Sequence, residues 1–209
     1  PKAFWRFCFV LSIAVPQFVS LLIMRTMLQP EGAVNVLLRN IGLIASDASL
    51  PFFTDATWAR VTVIVINLWV GIPYTLLQVT GILQNIPGEL YEAAKIDGAN
   101  AVQIFFKITL PYMLFVMTPY LITQFTGNIN NFNVIYLLTS STTTANMAFA
   151  NSNAKETDLL ITWLFTLTND NSNYKMASVI GIISFVICAL LTLLSYTRMI
   201  SGDKEEVYQ

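Results

Sequence analysis

Four long stretches with few or no charged side chains constrain this chain more than any other feature. A helix needs roughly 20 apolar residues to cross a bilayer, and residues 61–88 carry no charge over 28 positions. Stretches of that length and polarity predict membrane-spanning helices. We place the four spans at about residues 7–28, 61–84, 108–127 and 176–197.

The composition agrees with a membrane protein. The chain is 55% hydrophobic and 11% charged, whereas soluble domains carry roughly 25% charged residues. A net charge of −1 argues against a nucleic-acid surface, which needs clustered Lys and Arg. No internal repeat or low-complexity linker divides residues 1–209, so we predict one all-α membrane domain, a polytopic helical bundle. Because the sequence starts at Pro1 without an initiator Met, we expect it to be part of a longer protein.

The sequence lacks the groups that most membrane enzymes and ion-coupled transporters use. It contains no His, and its two cysteines, Cys8 and Cys188, lie far apart in separate apolar stretches, so we predict no metal site and no disulfide. It contains no phosphate-binding GxxxxGK[ST] string. The interiors of the predicted spans carry no charged residue, which disfavours ion coupling. We therefore expect no enzyme activity and no bound cofactor, with energy supplied by another chain.

Small residues recur at helical spacing in the fourth stretch. Ala177 and Gly181 are four apart, as are Ser184 and Cys188. Small side chains at this spacing let helices approach closely in lipid, and helix packing is the interpretation we favour.

A polar island at about residues 86–107 separates the second and third spans. Pro87 suits the first turn of a helix, Ala93 and Ala94 are strong helix formers, and Gly98 is a suitable left-handed stop. A helix resting on lipid headgroups favours Lys and Arg, whereas this one has three carboxylates, those of Glu89, Glu92 and Asp97. We therefore favour docking on another protein. The charge rule leaves the orientation undecided, with six basic residues on one side and five on the other.

The island also carries a resemblance. The string "EAAKIDGA" at residues 92–99, followed by Ile108 and Leu110-Pro111, resembles the EAA loop of binding-protein-dependent ABC importer permeases. The similarity extends over nearly the whole chain. The strings "INLWVGIPYTLLQVTGILQNIPGELYEAA" and "GNINNFNVIYLLT" are most similar to MalF-like permeases of maltose and maltodextrin importers.

The resemblance implies a type I ABC importer permease (MetI-like) fold with about four transmembrane helices in this chain and a cytoplasmic coupling helix. It implies a prokaryotic inner or plasma membrane, with the island and the C-terminus in the cytoplasm. The partners it implies are a MalG-like second permease, an ATPase dimer that binds ATP and Mg²⁺, and an extracytoplasmic sugar-binding protein. The implied ATPase-coupling residues are Glu92, Ala93, Ala94, Asp97, Gly98, Leu110 and Pro111.

Polar side chains within the second span and at the far end of the third are candidates for a solute site. Asn67, Gly71 and Tyr74 share one helical face, and Gln124, Asn128 and Asn131 follow one another at four and three positions. An amide in hydrocarbon needs a hydrogen-bond partner, which either a neighbouring helix or a bound sugar supplies. The residues alone leave both alternatives open.

The resemblance favours a sugar site. It implies that Asn67, Gly71, Tyr74, Asn128 and Asn131 line the sugar cavity, as matching positions do in maltose-type members. Gln124 and Gly127 depart from a close relative that has a serine and a phenylalanine there, which bears on sugar length. The alternatives are an importer of another solute (another sugar, a polyol, glycerol phosphate or an oligopeptide) and a membrane scaffold whose island recruits a cytoplasmic partner.

Overall fold

The computed structural model describes residues 2–139 and 153–206, and no β-strand occurs within these ranges. The all-α class predicted from the sequence is therefore confirmed. In chain order the helices are α1 (Lys2–Leu11), α2 (Gln17–Met27), α3 (Ala33–Asn40), α4 (Ala56–Asn85), α5 (Gly88–Ile96), α6 (Ala101–Ile104), α7 (Leu110–Ile129), α8 (Phe132–Thr139), α9 (Leu160–Asn169) and α10 (Tyr174–Glu206). A 3₁₀ turn at Ser12–Ala14 follows α1, and a π-helical segment at Phe105–Thr109 joins α6 to α7.

Three segments of the described chain are long and apolar enough to cross a membrane. They are α4, the run Ala101–Thr139 and the part Tyr174–Thr197 of α10, which contain the second, third and fourth predicted spans. The helix α4 begins at Asp55, whose carboxylate accepts a hydrogen bond of 3.0 Å from the Trp58 N–H and so satisfies one of the unpaired donors of the first turn. It continues through Pro73 without ending.

The first predicted span is divided into two helices. The helix α1 ends at Leu11, a 3₁₀ turn follows, and α2 starts only at Gln17. Pro16 has no N–H to donate, and its ring drives the preceding Val15 out of the helical region, to φ −85° and ψ 124°. Residues 7–28 are therefore a broken helix, of which α2 is a short apolar piece.

The core joins α2, α4 and α8. Leu21 and Leu138 are fully buried, and Val63, Ile66 and Val134 pack with them. Phe53, from the connection before α4, closes one side of this cluster. Fully burying one such side chain stabilises the fold by about 1.5–3 kcal/mol, so this cluster fixes the broken first helix against α4.

The small residues of α10 contact two neighbouring segments, in agreement with the close packing predicted from their spacing. A Cβ added at Gly181 would lie 3.3 Å from Leu164 Cδ1 of α9, and Ala177 is buried against Leu167. One turn further along, the Ser184 hydroxyl donates to the Asn130 Oδ1 at 2.8 Å. The Asn130 Nδ2 in turn donates to the Cys188 Sγ at 3.0 Å.

A network of side chain to backbone bonds folds the connection between α2 and α4. Sequence inspection suggests short interfacial helices here, and the described structure contains one, α3. Asn35 of α3 is fully buried. Its Nδ2 donates to the Gln29 carbonyl at 3.0 Å, and its Oδ1 accepts from the Leu50 N–H at 2.8 Å. Asn35 thereby ties both ends of the connection to one helix.

Arg39 adds a second anchor to this connection. Its guanidinium donates to the Ala48 carbonyl at 2.7 Å, to the Pro30 carbonyl at 2.8 Å and to the Glu31 carboxylate at 3.0 Å. The hydrogen bond and the charge of Arg39 lower the pKa of Glu31, and the bond to Glu31 raises the pKa of Arg39. The Glu31 side chain is 82% exposed and that of Arg39 only 17%. Because solvent screens the exposed carboxylate, the main effect of the pair is to hold the loop in one shape.

Replacing Asn35 with alanine is expected to lower the free energy of unfolding by about 1–3 kcal/mol, because a buried N–H and a carbonyl lose their partner. Chemical unfolding of the full-length protein in detergent measures this change. Asn40→Ala, at the exposed end of the same helix, is the matched control and should stay within about 0.5 kcal/mol of the wild type. Equal losses in the two variants would contradict the anchoring role of Asn35.

Candidate functional site

A cavity of about 760 Å³ lies between α4 and α7. Its volume falls in the range of ligand sites, roughly 300–1,000 Å³. All six residues proposed from the sequence for solute binding line it, namely Asn67, Gly71, Tyr74, Gln124, Asn128 and Asn131. The structure thus brings together side chains that are up to 64 positions apart in the chain. Their role in binding remains a prediction.

Three asparagines form one hydrogen-bonded layer at the end of the cavity remote from α5. Asn67 Nδ2 donates to Asn128 Oδ1 at 2.8 Å, and Asn131 Nδ2 donates to Asn67 Oδ1 at 2.9 Å. Asn128 Nδ2 donates to the Gln124 carbonyl at 2.8 Å. Helix-to-helix bonding, one of the two alternatives left open by the sequence, is therefore present. These bonds lie on the wall of a cavity, so they do not exclude a bound sugar, which is the second alternative.

The layer keeps hydrogen-bonding capacity for a solute. An amide group has two N–H donors, and Asn67 and Asn128 each use one within the described residues. The Asn128 oxygen accepts from Asn67 and, at 3.5 Å, from Asn131, while the Asn67 oxygen accepts one bond, from Asn131. The remaining capacity of these two amides is therefore one N–H donor on each and one lone pair on the Asn67 oxygen. Tyr74, with 51% of its surface exposed, adds an aromatic face of the kind that covers the apolar side of a sugar ring.

Three further polar residues of the cavity wall were not predicted from the sequence. Gln17 reaches the cavity because α2 starts there, after the break at Pro16. Thr75 and Tyr120 join α4 to α7 through a hydroxyl–hydroxyl contact of 3.1 Å. The sequence gives only a weak signal that Thr75 and Tyr120 line a cavity, because single hydroxyl groups in apolar spans also bond to their own helix. Thr75 itself donates to the Gly71 carbonyl at 3.1 Å.

The lining of this cavity, taken over the described residues, includes no Asp, Glu, Lys or Arg. Its polar groups are amides and hydroxyls. Such a surface suits a neutral, hydroxyl-rich solute, because an ion that leaves water needs an opposite charge or many aligned dipoles.

The second candidate site is α5 and the turn that follows it. The inner face of α5 is fixed to the bundle: Ala94 is buried at 9% exposure, and the Tyr91 hydroxyl lies 3.2 Å from the Thr109 Oγ1. On the outer face Glu92, Ala93 and Asp97 are exposed, and Ile96 is 86% exposed. Of the two alanines proposed for docking, only Ala93 is accessible, because Ala94 packs within this chain.

The turn after α5 has the geometry that the sequence predicts. Gly98 has a φ of +76°, a left-handed conformation that residues with a Cβ rarely adopt. Asn100 and Gln103 then form a reciprocal capping box at 2.9 Å in each direction, which starts α6.

The second helical piece of the island differs from the expected regular helix. Only Ala101–Ile104 is α-helical, and Phe105–Thr109 is a π-helical segment. Pro111, in the first turn of α7, explains the change, because its ring excludes a regular bond to the Lys107 carbonyl. Leu110 is partly buried and Pro111 is exposed. These two coupling candidates belong to the first turn of α7 and not to the outer face of α5.

A double-mutant cycle tests the asparagine layer as a structural link. Asn67→Ala and Asn128→Ala, alone and combined, are expected to show a coupling energy of about 0.6–1.7 kcal/mol, the range of polar contacts between membrane helices. Chemical unfolding in detergent measures the four free energies. Asn85→Ala combined with Asn128→Ala is the control, since Asn85 lies at the far end of α4, and its coupling should be near zero. Equal coupling in both cycles would contradict a direct link.

Comparison with known proteins identifies the family. The model described as "Binding-protein-dependent transport system inner membrane component" matches residues 1–201. The galactooligosaccharides transport system permease protein GanP of Bacillus subtilis (strain 168) is 39% identical over 98% of this chain and 47% of its own length. The maltodextrin transport system permease protein MdxF of the same organism is 38% identical over 99% and 48%. The maltose/maltodextrin transport system permease protein MalF of Vibrio vulnificus (strain YJ016) is 36% identical over 93% and 37%.

Two solved structures of transporters have a fold similar to that of this chain. A bacterial ABC transporter involved in the import of the acidic polysaccharide alginate aligns with a TM-score of 0.73 at 24% identity, over 88% of this chain and 61% of its own. The alginate transporter in complex with an alginate pentasaccharide-bound periplasmic protein aligns with a TM-score of 0.70 at 25% identity, over 86% and 58%.

These matches have three consequences for the expectations drawn from the sequence. The ABC permease fold is confirmed. The relatives are named as permease proteins, which agrees with the expectation that this chain is not itself an enzyme. The chain spans about half the length of the first two relatives. It belongs to the family of binding-protein-dependent transport system inner membrane components.

Proposed function

We propose that this chain forms one half of the translocation pathway of an ATP-driven oligosaccharide importer, with a maltodextrin-type sugar as its solute. The observation that carries the proposal is the cavity between α4 and α7, where the six residues selected from the sequence meet. A cavity lined by amides, hydroxyls and an exposed tyrosine, with no charged side chain along its described wall, suits a neutral sugar.

The chemistry of the lining separates candidate solutes. The structural relatives import alginate, which is acidic, and glycerol phosphate is also anionic. An anionic solute calls for Lys or Arg, and the described cavity wall has neither. Maltodextrin and galactooligosaccharide, the solutes in the names of the sequence relatives, are neutral. A polyol or another neutral sugar is the main alternative within this class.

The described geometry supports a route for coupling to ATP. We propose that the outer face of α5 docks on a cytoplasmic ATPase dimer that binds ATP and Mg²⁺, which places α5 and the C-terminus in the cytoplasm. Motion of α5 would pass through the Tyr91–Thr109 contact to the π-helical segment and on to α7. Because α7 carries Asn128 and α4 leads directly into α5, both cavity walls are mechanically connected to the docking helix.

The proposal also includes two further partner proteins. A second, MalG-like permease would supply the other wall of the pathway, and an extracytoplasmic sugar-binding protein would deliver the solute. A membrane scaffold, the alternative from another class, has no need of a polar cavity. Stimulation of ATP hydrolysis by sugar in the reconstituted complex distinguishes an importer from a scaffold.

Replacing Asn131 or Tyr74 with alanine is expected to lower sugar uptake about fivefold to tenfold, because each change removes about one hydrogen bond or one ring contact. Uptake of radiolabelled maltotriose by cells that depend on this permease measures the change. Asn133→Ala is the matched control: Asn133 is exposed, two positions from Asn131 and outside the cavity wall. Unchanged uptake in both alanine variants, at equal membrane abundance, would remove these residues from the site.

Replacing Gly98 with proline or Glu92 with lysine is expected to separate ATP hydrolysis from uptake. Proline is incompatible with a φ of +76°, so the end of α5 must move, and lysine reverses the charge of an exposed docking residue. The measurement is the number of sugar molecules transported per ATP hydrolysed in proteoliposomes containing the whole complex. Gly81→Ala serves as the control because it lies within α4 with open space around it. Normal transport stoichiometry in both test variants would contradict the coupling role.

A further inference from the structure

The cavity has a second polar layer, formed by Thr75 and Tyr120. Thr75 follows Asn67 by eight residues on α4, and Tyr120 precedes Asn128 by eight on α7. With a rise of 1.5 Å per residue the two layers lie about 12 Å apart along the helices. The hydroxyl layer is the one nearer to α5, because α4 leads into α5 and α7 starts close to it.

The direction of the hydrogen bonds in the hydroxyl layer follows from a count of protons. A hydroxyl group has one proton to donate and two lone pairs. Thr75 donates its proton to the Gly71 carbonyl at 3.1 Å. While that bond is formed, Tyr120 is the donor in the contact of 3.1 Å between the two hydroxyls. The Tyr120 oxygen accepts no bond within the described residues, so its lone pairs remain available to a solute in the cavity that Tyr120 lines.

The two layers consequently differ in what they offer a solute. The asparagine layer keeps mainly N–H donors, on Asn67 and Asn128. The hydroxyl layer offers the lone pairs of Tyr120, whose hydroxyl is held by its contact with Thr75. A sugar hydroxyl can both accept and donate, so a chain of sugar rings satisfies both layers at once. A single sugar ring is too short to span about 12 Å, whereas an oligosaccharide of several rings is long enough to contact both layers.

We propose that Tyr120, oriented by Thr75, is a second carbohydrate subsite that favours longer oligosaccharides over short ones. This inference rests on the proposed function, because it takes a neutral oligosaccharide as the solute. Tyr120 supplies the hydrogen-bond acceptor and an aromatic ring, and it lines the same wall as Gly127, where the space next to the backbone is open. Thr75 is a positioning residue that acts through Tyr120.

The subsite is tested by a ratio of uptake rates. Tyr120→Phe removes the oxygen and keeps the ring, so the ratio of maltotetraose to maltose uptake is expected to fall about fivefold, the effect of one hydrogen bond. Thr75→Val removes the group that orients Tyr120 and should lower the same ratio about threefold. A ratio is used because a general loss of assembly or stability lowers both rates together and leaves the ratio unchanged.

Tyr112→Phe provides the matched control, since Tyr112 lies on the same helix outside the cavity wall, and its ratio should equal that of the wild type. The rates are measured with each sugar well below its half-saturating concentration, where the rate reports on binding, in cells carrying the full-length protein with its partner subunits. Ratios within about twofold of wild type in both Tyr120→Phe and Thr75→Val would overturn the subsite while leaving the importer intact. Wild-type cells that take up neither sugar would overturn the proposed function, and the subsite with it. If Tyr120→Phe does not reach the membrane, Thr75→Val decides by the same threshold.

Discussion

The cost of leaving an amide unpaired in an apolar environment organises the centre of this protein. Asn67 of α4 and Asn128 of α7 lie on helices whose other side chains are mostly apolar, and Asn131 lies in the link between α7 and α8. Each amide finds a partner on a neighbouring segment. An unsatisfied amide there would cost several kcal/mol. The three side chains therefore hold α4 against the end of α7. The same bonds occupy most of the lone pairs of the Asn67 and Asn128 oxygens and leave one N–H of each amide unused within the described residues, so the link between the helices also determines which groups the cavity wall offers to the proposed solute.

A second polar link reaches away from the cavity and stabilises the same region. Asn130, between two cavity residues, is engaged by Ser184 and Cys188 of α10. Consecutive asparagines thus bond in different directions, one to α10 and the next to α4. This is possible because α7 ends at Ile129, where Asn130 leaves the helical conformation with φ −107° and ψ 32°. The break in the helix is what lets Asn131 face Asn67, so α10 helps to position the cavity wall without lining its amide layer.

The sequence predicts the apolar segments, the helix α5 and the left-handed turn at Gly98 well, because each depends on local physics: the length of an apolar run, the helix preference of alanine, and the freedom of glycine at positive φ. The sequence does not predict whether a proline interrupts a helix. Pro16 divides a helix, whereas Pro73 lies inside one that continues. The sequence around each gives no rule for the difference, since a helix continues past proline only where neighbouring groups compensate for the lost bond.

The same limit applies to the faces of helices. Ala93 and Ala94 are identical in local character, yet Ala94 is buried and Ala93 is exposed, because the contact between Tyr91 and Thr109 sets the rotation of α5 against the bundle. Thr75 and Tyr120 belong to the cavity only because α4 and α7 align so that positions 45 apart meet. Residue types can indicate which groups must find a partner in an apolar surrounding. Which partner each one finds depends on helix alignment, and in this protein that alignment joins α5, the two polar layers and the cavity into one connected unit.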